Sequence, residues 1–130
     1  MIVIDTSVWI AASRKALGPE ARTLTSLLDA DEVALALPVR MELAAGVARK
    51  DRAALVRGLS ALPLLYPTDD TWGLAERWIA PAADAGQRFA MTDLLIAALA
   101  EEIGGLVWSL DEDFEGLERL GFARLYAGAA

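Results

Sequence analysis

Short unbroken apolar runs alternate along this chain with longer stretches in which apolar residues recur every three or four positions. The first kind fits strands covered on both faces, and the second fits amphipathic helices. Residues 1–5 are an apolar run closed by Asp5 and read as a buried strand. Thr6 and Ser7 are candidate caps for a helix reaching about Arg14. Gly18-Pro19 opens a second helix, with Pro in its first turn and Leu24, Leu27 and Leu28 along one face. Residues 33–37 read as a second strand, Pro38 starts a helix to about Arg49, and residues 51–62 form another. After a weak strand at 64–66, a helix from Asp69 reaches the Pro81 region, with a stop at Gly86. Thr92 is a candidate cap for a helix over 93–103, ended by Gly104-Gly105. Residues 106–110 make a strong strand pattern, and residues 123–126 a last one after a loop or short helix.

This order predicts an α/β fold, a three-layer sandwich whose mostly parallel central sheet is flanked by helices. No repeat, linker or low-complexity tract interrupts it, so one domain over residues 1–130 is expected. In such a sheet the crossover helices run back against the strands, so strand C-termini and helix N-termini share one edge. Ligands of open α/β sheets bind there. Four acids fall on that edge: Asp5 ends the first strand, and Asp111 follows the strand over 106–110. Glu42 lies one turn into the helix opened by Pro38, and Asp93 sits in the first turn of the helix feeding 106–110.

Composition narrows the chemistry. The chain has no cysteine and no histidine, which excludes thiolate zinc sites, cysteine nucleophiles, histidine bases and Ser-His-Asp triads. What remains is carboxylate, hydroxyl or Lys/Arg chemistry, or a hard cation bound by oxygen. A net charge of −7 argues against an extended basic nucleic-acid surface but suits a cluster of acids that holds a cation. The longest uncharged stretch, residues 58–68, is far shorter than the ~20 residues a membrane helix needs, and the first residues lack a secretory pattern. A cytoplasmic protein without a membrane partner is expected.

Clustered carboxylates repel unless a cation sits among them, and oxygen ligands favour Mg²⁺ or Mn²⁺. Such a site suits hydrolysis of a phosphodiester, with one or two ions. Taken singly, each acid has an ordinary reading: Asp5 as a helix cap, Glu42 as a solvated helix position, Asp93 as a first-turn acid, Asp111 and Asp113 as turn residues. The shared edge is what raises the set above its members. Thr6, Ser7 and Ser109 stand beside the acids as hydroxyls that orient carboxylates or serve turns and caps. Arg40 and Arg88 flank the site in sequence as candidate phosphate contacts, against a solvated-surface role. Trp9, Trp72, Trp78 and Trp108 read as core or subunit contacts.

These residues resemble the PIN-domain ribonucleases, in particular the VapC-type toxins of toxin–antitoxin pairs. The matching segments are Ile2-Val3-Ile4-Asp5-Thr6-Ser7-Val8, Met41-Glu42-Leu43 with Gly46, Thr92-Asp93-Leu94-Leu95-Ile96-Ala97-Ala98-Leu99-Ala100, and Ser109-Leu110-Asp111-Glu112-Asp113-Phe114. Their order and spacing span nearly the whole chain. The resemblance implies a PIN-like sheet, a Mg²⁺ or Mn²⁺ site and cleavage of single-stranded RNA. By position it makes Asp5, Glu42, Asp93 and Asp111 the acidic quartet, with Asp113 auxiliary. It further implies a homodimer and a cognate antitoxin that covers the active site. Ser109 stands where the family often has Thr, and the hydroxyl is kept. The rival reading is a PIN-like module kept for interaction or scaffolding with weak catalysis. A receiver domain would need a second early acid and a late lysine, and a haloacid-dehalogenase-type phosphatase would need Asp where Ser7 stands.

Overall fold

Ile2, Val3 and Ile4 are β-branched and apolar, a composition suited to a strand packed on both faces. They form β1 (Ile2–Ile4), which is buried along its whole length. The computed structural model describes residues 1–128. Three further strands are β2 (Val33–Ala36), β3 (Leu64–Leu65) and β4 (Leu106–Trp108). Their order is β3-β2-β1-β4, and every pairing is parallel. The mostly parallel sandwich expected from the sequence is therefore present.

Strand alternation divides the molecule into two cores. Ile2 and Ile4 point to one face with Val33 and Trp108, where they meet Val8 of α1 (Thr6–Arg14) and Leu24 and Leu27 of α2 (Pro19–Asp29). Val3, Ala34 and Val107 point to the other. That face is covered by α3 (Leu37–Gly46), α4 (Arg49–Leu59), α5 (Asp69–Arg77), α6 (Ile79–Asp84), α7 (Met91–Glu102) and α8 (Asp113–Arg119). Residues 94–100 of α7 are all buried, which explains why the sequence there is apolar on every side. Fully burying side chains such as Ile4 or Leu35 stabilises the fold by ~1.5–3 kcal/mol each.

Several boundaries differ from the sequence expectation, each for a local reason. The helix opened by Pro38 stops at Gly46, and Arg52 of α4 donates to the carbonyls of Ala44 (2.9 Å) and Val47 (3.3 Å) at that end. The helix expected from Asp69 through Pro81 divides at Trp78. Pro81 has no N–H for a continuous ladder, while Trp78 stacks on Phe122 with ring centroids 4.7 Å apart. Asp5 and Ala90, not Thr6, Ser7 or Thr92, occupy the N-cap positions of α1 and α7. β4 ends at Trp108 because the next amides are claimed by side chains, Leu110 N–H by Ser7 and Asp111 N–H by Ser109. The last strand, expected over 123–126, contracts to a parallel bridge between Leu125 and Val107. Among the described residues no helix is long and apolar enough to cross a membrane.

Chain order runs outward from β1 to β2 and β3, then crosses back to β4 on the other side of β1. The reversal makes β1/β4 the switch point of the sheet, where adjacent connections part and leave a crevice. Close approach there depends on Gly105: a Cβ at that position would stand 2.8 Å from the Met1 carbonyl oxygen, which accepts from Leu106 N–H at 3.1 Å. Gly105→Ala is expected to destabilise by about 1–3 kcal/mol in urea unfolding. Gly58→Ala, on the open surface of α4 with nothing near its Cβ, should instead gain about 0.5–1 kcal/mol.

Candidate metal centre

At the switch point the backbone N–H of Asp5 donates to the Trp108 carbonyl at 2.8 Å, so the ends of β1 and β4 are level. Asp5 is the N-cap residue of α1, yet its side chain makes no capping bond. Its carboxylate is buried, 6% exposed, and turns toward β4. There Oδ2 accepts from Ser7 Oγ and from Ser109 Oγ, both at 2.7 Å. Each serine in turn accepts a backbone N–H, Ser7 from Leu110 (3.0 Å) and Ser109 from Asp111 (2.9 Å). A hydroxyl has one proton to give. With both protons committed to Asp5, the 3.4 Å approach of the two serine oxygens is a neighbourly contact, not a bond that holds the site.

The loop after β4 supplies two more acids. Asp111 Oδ1 accepts the N–H of Asp113 at 2.9 Å, a local turn that brings the second carboxylate round beside the first. Asp113 opens α8, and Asp93 lies in the first turn of α7. One carboxylate oxygen from each of Asp93, Asp111 and Asp113 lies within 4.8 Å of the other two. Asp113, expected only as an auxiliary, thus converges as closely as Asp111 does. The sequence signal was its place two residues beyond Asp111 and at the start of a helix.

Glu42 approaches from α3 on the opposite flank. It is exposed, and its Oε1 accepts from Thr6 Oγ1 at 2.9 Å. Asp5 and Glu42 stand outside the tight trio but act on it electrically. Burial, followed by the negative charges of Asp5, Asp111, Asp113 and Glu42, pushes the Asp93 carboxyl up from 3.8 to about 7. All five acids therefore belong to one electrostatic unit, although only three converge tightly.

The two arginines are not brought to the acids in this way. Arg40 lies two residues before Glu42 on α3, and a helix turns about 200° over two residues. Its guanidinium donates to the Tyr66 hydroxyl at 3.4 Å on the far flank. Arg88 is exposed and lines a groove of about 1020 Å³ with Trp72, Ile79, Phe89 and Met91. Of the tryptophans, Trp78 and Trp108 are buried, Trp9 is half-buried between the two cores, and Trp72 is 48% exposed.

The donor set fits a hard divalent cation. Ligands on opposite sides of a Mg²⁺ stand ~4 Å apart, so three oxygens within 4.8 Å need only small side-chain movements. Without a cation the raised Asp93 carboxyl makes the fold less stable as pH rises toward neutrality. An Asp whose folded pKa is raised keeps its proton where the unfolded chain has lost it, so stability falls as pH rises from about 4 through about 7. In EDTA, thermal unfolding of the wild type should lose ground to Asp93→Asn between pH 5.5 and 7.5 and run parallel to it above pH 8. Equal pH profiles for the two proteins would refute the raised carboxyl.

Comparison with known proteins gives the same architecture. A family model described as "PIN domain" matches residues 2–120. The chain is 34% identical over 118 residues to a Mycobacterium tuberculosis protein named Ribonuclease VapC18, covering 86% of this chain and 83% of that one. It is 33% identical over 126 residues to Ribonuclease VapC11 of the same organism, covering 92% and 93%. Among solved structures, the DNA-bound VapBC of Salmonella typhimurium superposes with a TM-score of 0.79 at 21% identity, covering 96% of each chain. VapBC-5 of Mycobacterium tuberculosis, titled a member of the VapBC family of toxin-antitoxin systems, gives 0.61 at 31% identity over 89% of each chain. With a match over nearly its whole length and relatives above 30% identity, this chain belongs to the PIN-domain family.

Proposed function

We propose that the chain is a metal-dependent endoribonuclease that hydrolyses RNA phosphodiester bonds as the toxin of a toxin–antitoxin pair. The observation that carries this reading is the convergence of Asp93, Asp111 and Asp113 at the sheet's switch point, with Asp5 and Glu42 facing Asp93. Relatives named as VapC ribonucleases supply the RNA substrate, and neighbours titled VapBC supply the antitoxin partner and the toxin role. One domain spans residues 1–130, of which the last two lie outside the described part. A homodimer in the cytoplasm completes the proposal.

Asp93, Asp111 and Asp113 would hold Mg²⁺ or Mn²⁺, with Asp5 and Glu42 completing the set. The chemistry such a cation would supply there is Lewis acidity, which would favour ionised water and offset negative charge on a phosphate. The chain's own residues do the rest. Ser7 and Ser109 fix Asp5 through Oδ2, which leaves Oδ1 as the oxygen for a cation. Asp93 would give up its proton to act as a ligand, because a carboxyl at about 7 holds a proton that competes with a metal for the same oxygen. A scaffold module has no use for a half-buried carboxyl opposed by four others, and perturbed groups of this kind concentrate at working sites.

Purified protein is expected to cut labelled single-stranded RNA with Mg²⁺ or Mn²⁺ and to stop in EDTA. Asp93→Asn and Asp111→Asn should each lose roughly 100-fold or more, and Asp113→Asn should fall as far as Asp111→Asn. Cutting that survives EDTA and all three substitutions would overturn the nuclease reading. Cutting that needs metal but ignores Asp113→Asn would return that residue to an auxiliary place.

Mn²⁺ affinity of the wild type should rise up to tenfold per pH unit below about pH 7 and level off above it. Calorimetric titration at four pH values would check this. An affinity independent of pH from 5.5 to 8 would rule out proton–metal competition at Asp93.

A further inference from the structure

Glu42 differs from the other acids in how little holds it. Asp5 is buried under two hydroxyls, and Asp111 is tied into the turn after β4. Asp93 is half-buried at the start of a helix whose residues 94–100 are all buried. Glu42 is exposed, sits on α3 beyond β2, and carries the longest and most flexible side chain of the five. Left to itself it would sample solvent, and repulsion from the other carboxylates would favour rotamers that swing it away.

One bond opposes that. Thr6 Oγ1 donates to Glu42 Oε1 at 2.9 Å across 36 positions of sequence. Thr6 is the first residue of α1 and follows Asp5 directly, so its backbone is fixed to the end of β1. Its branched side chain limits the rotation of the hydroxyl about χ1. The bond therefore measures Glu42 against Asp5, the most firmly held acid of the site. It also occupies Oε1 and leaves Oε2 as the oxygen that can turn toward a cation.

The geometry points to Thr6 as the positioning residue that holds Glu42 within reach of the metal, a latch between α1 and α3. This rests on the metal-nuclease reading and adds to it the means by which the most mobile ligand is kept in place. Thr6 itself touches no reacting atom. Its effect passes through Glu42 alone, which separates it from a general contribution to the fold.

The test is a double-mutant cycle read by calorimetric Mn²⁺ binding at pH 8, with Thr6→Val, Glu42→Gln and the double variant. Thr6→Val keeps the shape and loses the proton donor, and should weaken Mn²⁺ binding roughly three- to tenfold, the scale of one hydrogen bond to a charged group. Thr6→Ser, which restores the donor, should bring binding back to within about twofold of the wild type. In the Glu42→Gln background Thr6→Val should cost nothing further, and melting in EDTA should be alike for Thr6→Val and the wild type. Wild-type binding by Thr6→Val, or an equal loss with and without Glu42, would overturn the latch while leaving the nuclease reading intact. A wild type that neither binds Mn²⁺ nor cuts RNA would end both.

Discussion

Three parallel rungs, Ile2 with Leu106, Val3 with Val107 and Ile4 with Trp108, join chain segments that are remote in sequence. They place Asp5 level with Ser109, a residue 104 positions away, and the rest of the site is assembled from that register. A slip of one residue would turn Ile4 and Trp108 out of their core and carry Asp5 away from both serines. Register here is held strongly because both faces of β1 are buried, by α1 and α2 on one side and by α3 and α7 on the other. Apolar packing, which has no interest in metal, is what fixes the carboxylates.

The carboxylates in turn work against the packing that collects them. The strain gathers on Asp93, whose carboxyl burial and the negative charges of Asp5, Asp111, Asp113 and Glu42 push up to about 7. The hydroxyls moderate this without removing it. Ser7 and Ser109 tie the first acid to both sides of the switch point, and Thr6 ties Glu42 to the start of α1. Each gives its single proton to a carboxylate oxygen and leaves the partner oxygen for another ligand. On the proposed metal-nuclease reading, a cation bound to these residues would relieve that opposition and so couple its binding to folding.

Much of the architecture is legible in the sequence. The apolar run ending at Asp5, the buried stretch after Asp93 and the run from Leu106 gave the strands and the central helix, and alternation of elements gave the parallel sheet. Boundaries were less legible, because competing side chains set them. Arg52 reaches back to the carbonyls at the end of α3, Pro81 interrupts the helix that Asp69 begins, and Ser7 and Ser109 take the amides that would have lengthened β4. The reading of Thr6, Ser7 and Thr92 as caps failed for a related reason. The helices begin one or two residues earlier, and the Thr6 and Ser7 hydroxyls turn to carboxylates instead.

The sequence by itself determined the kinds of atoms available and the edge on which they would meet. With no cysteine and no histidine, oxygen chemistry was the remaining route to a metal, and strand-end or helix-start positions put Asp5, Glu42, Asp93 and Asp111 together. Tertiary structure decided which of them actually converge. It drew Asp113 into the trio through a turn at Asp111, left Asp5 and Glu42 one step outside, and carried Arg40 to Tyr66 on the other flank of α3. The reason is that sequence spacing fixes a residue's place along an element. Which oxygen meets which depends on sheet register, helix rotation and single hydroxyl protons, and those are settled only when distant segments pack.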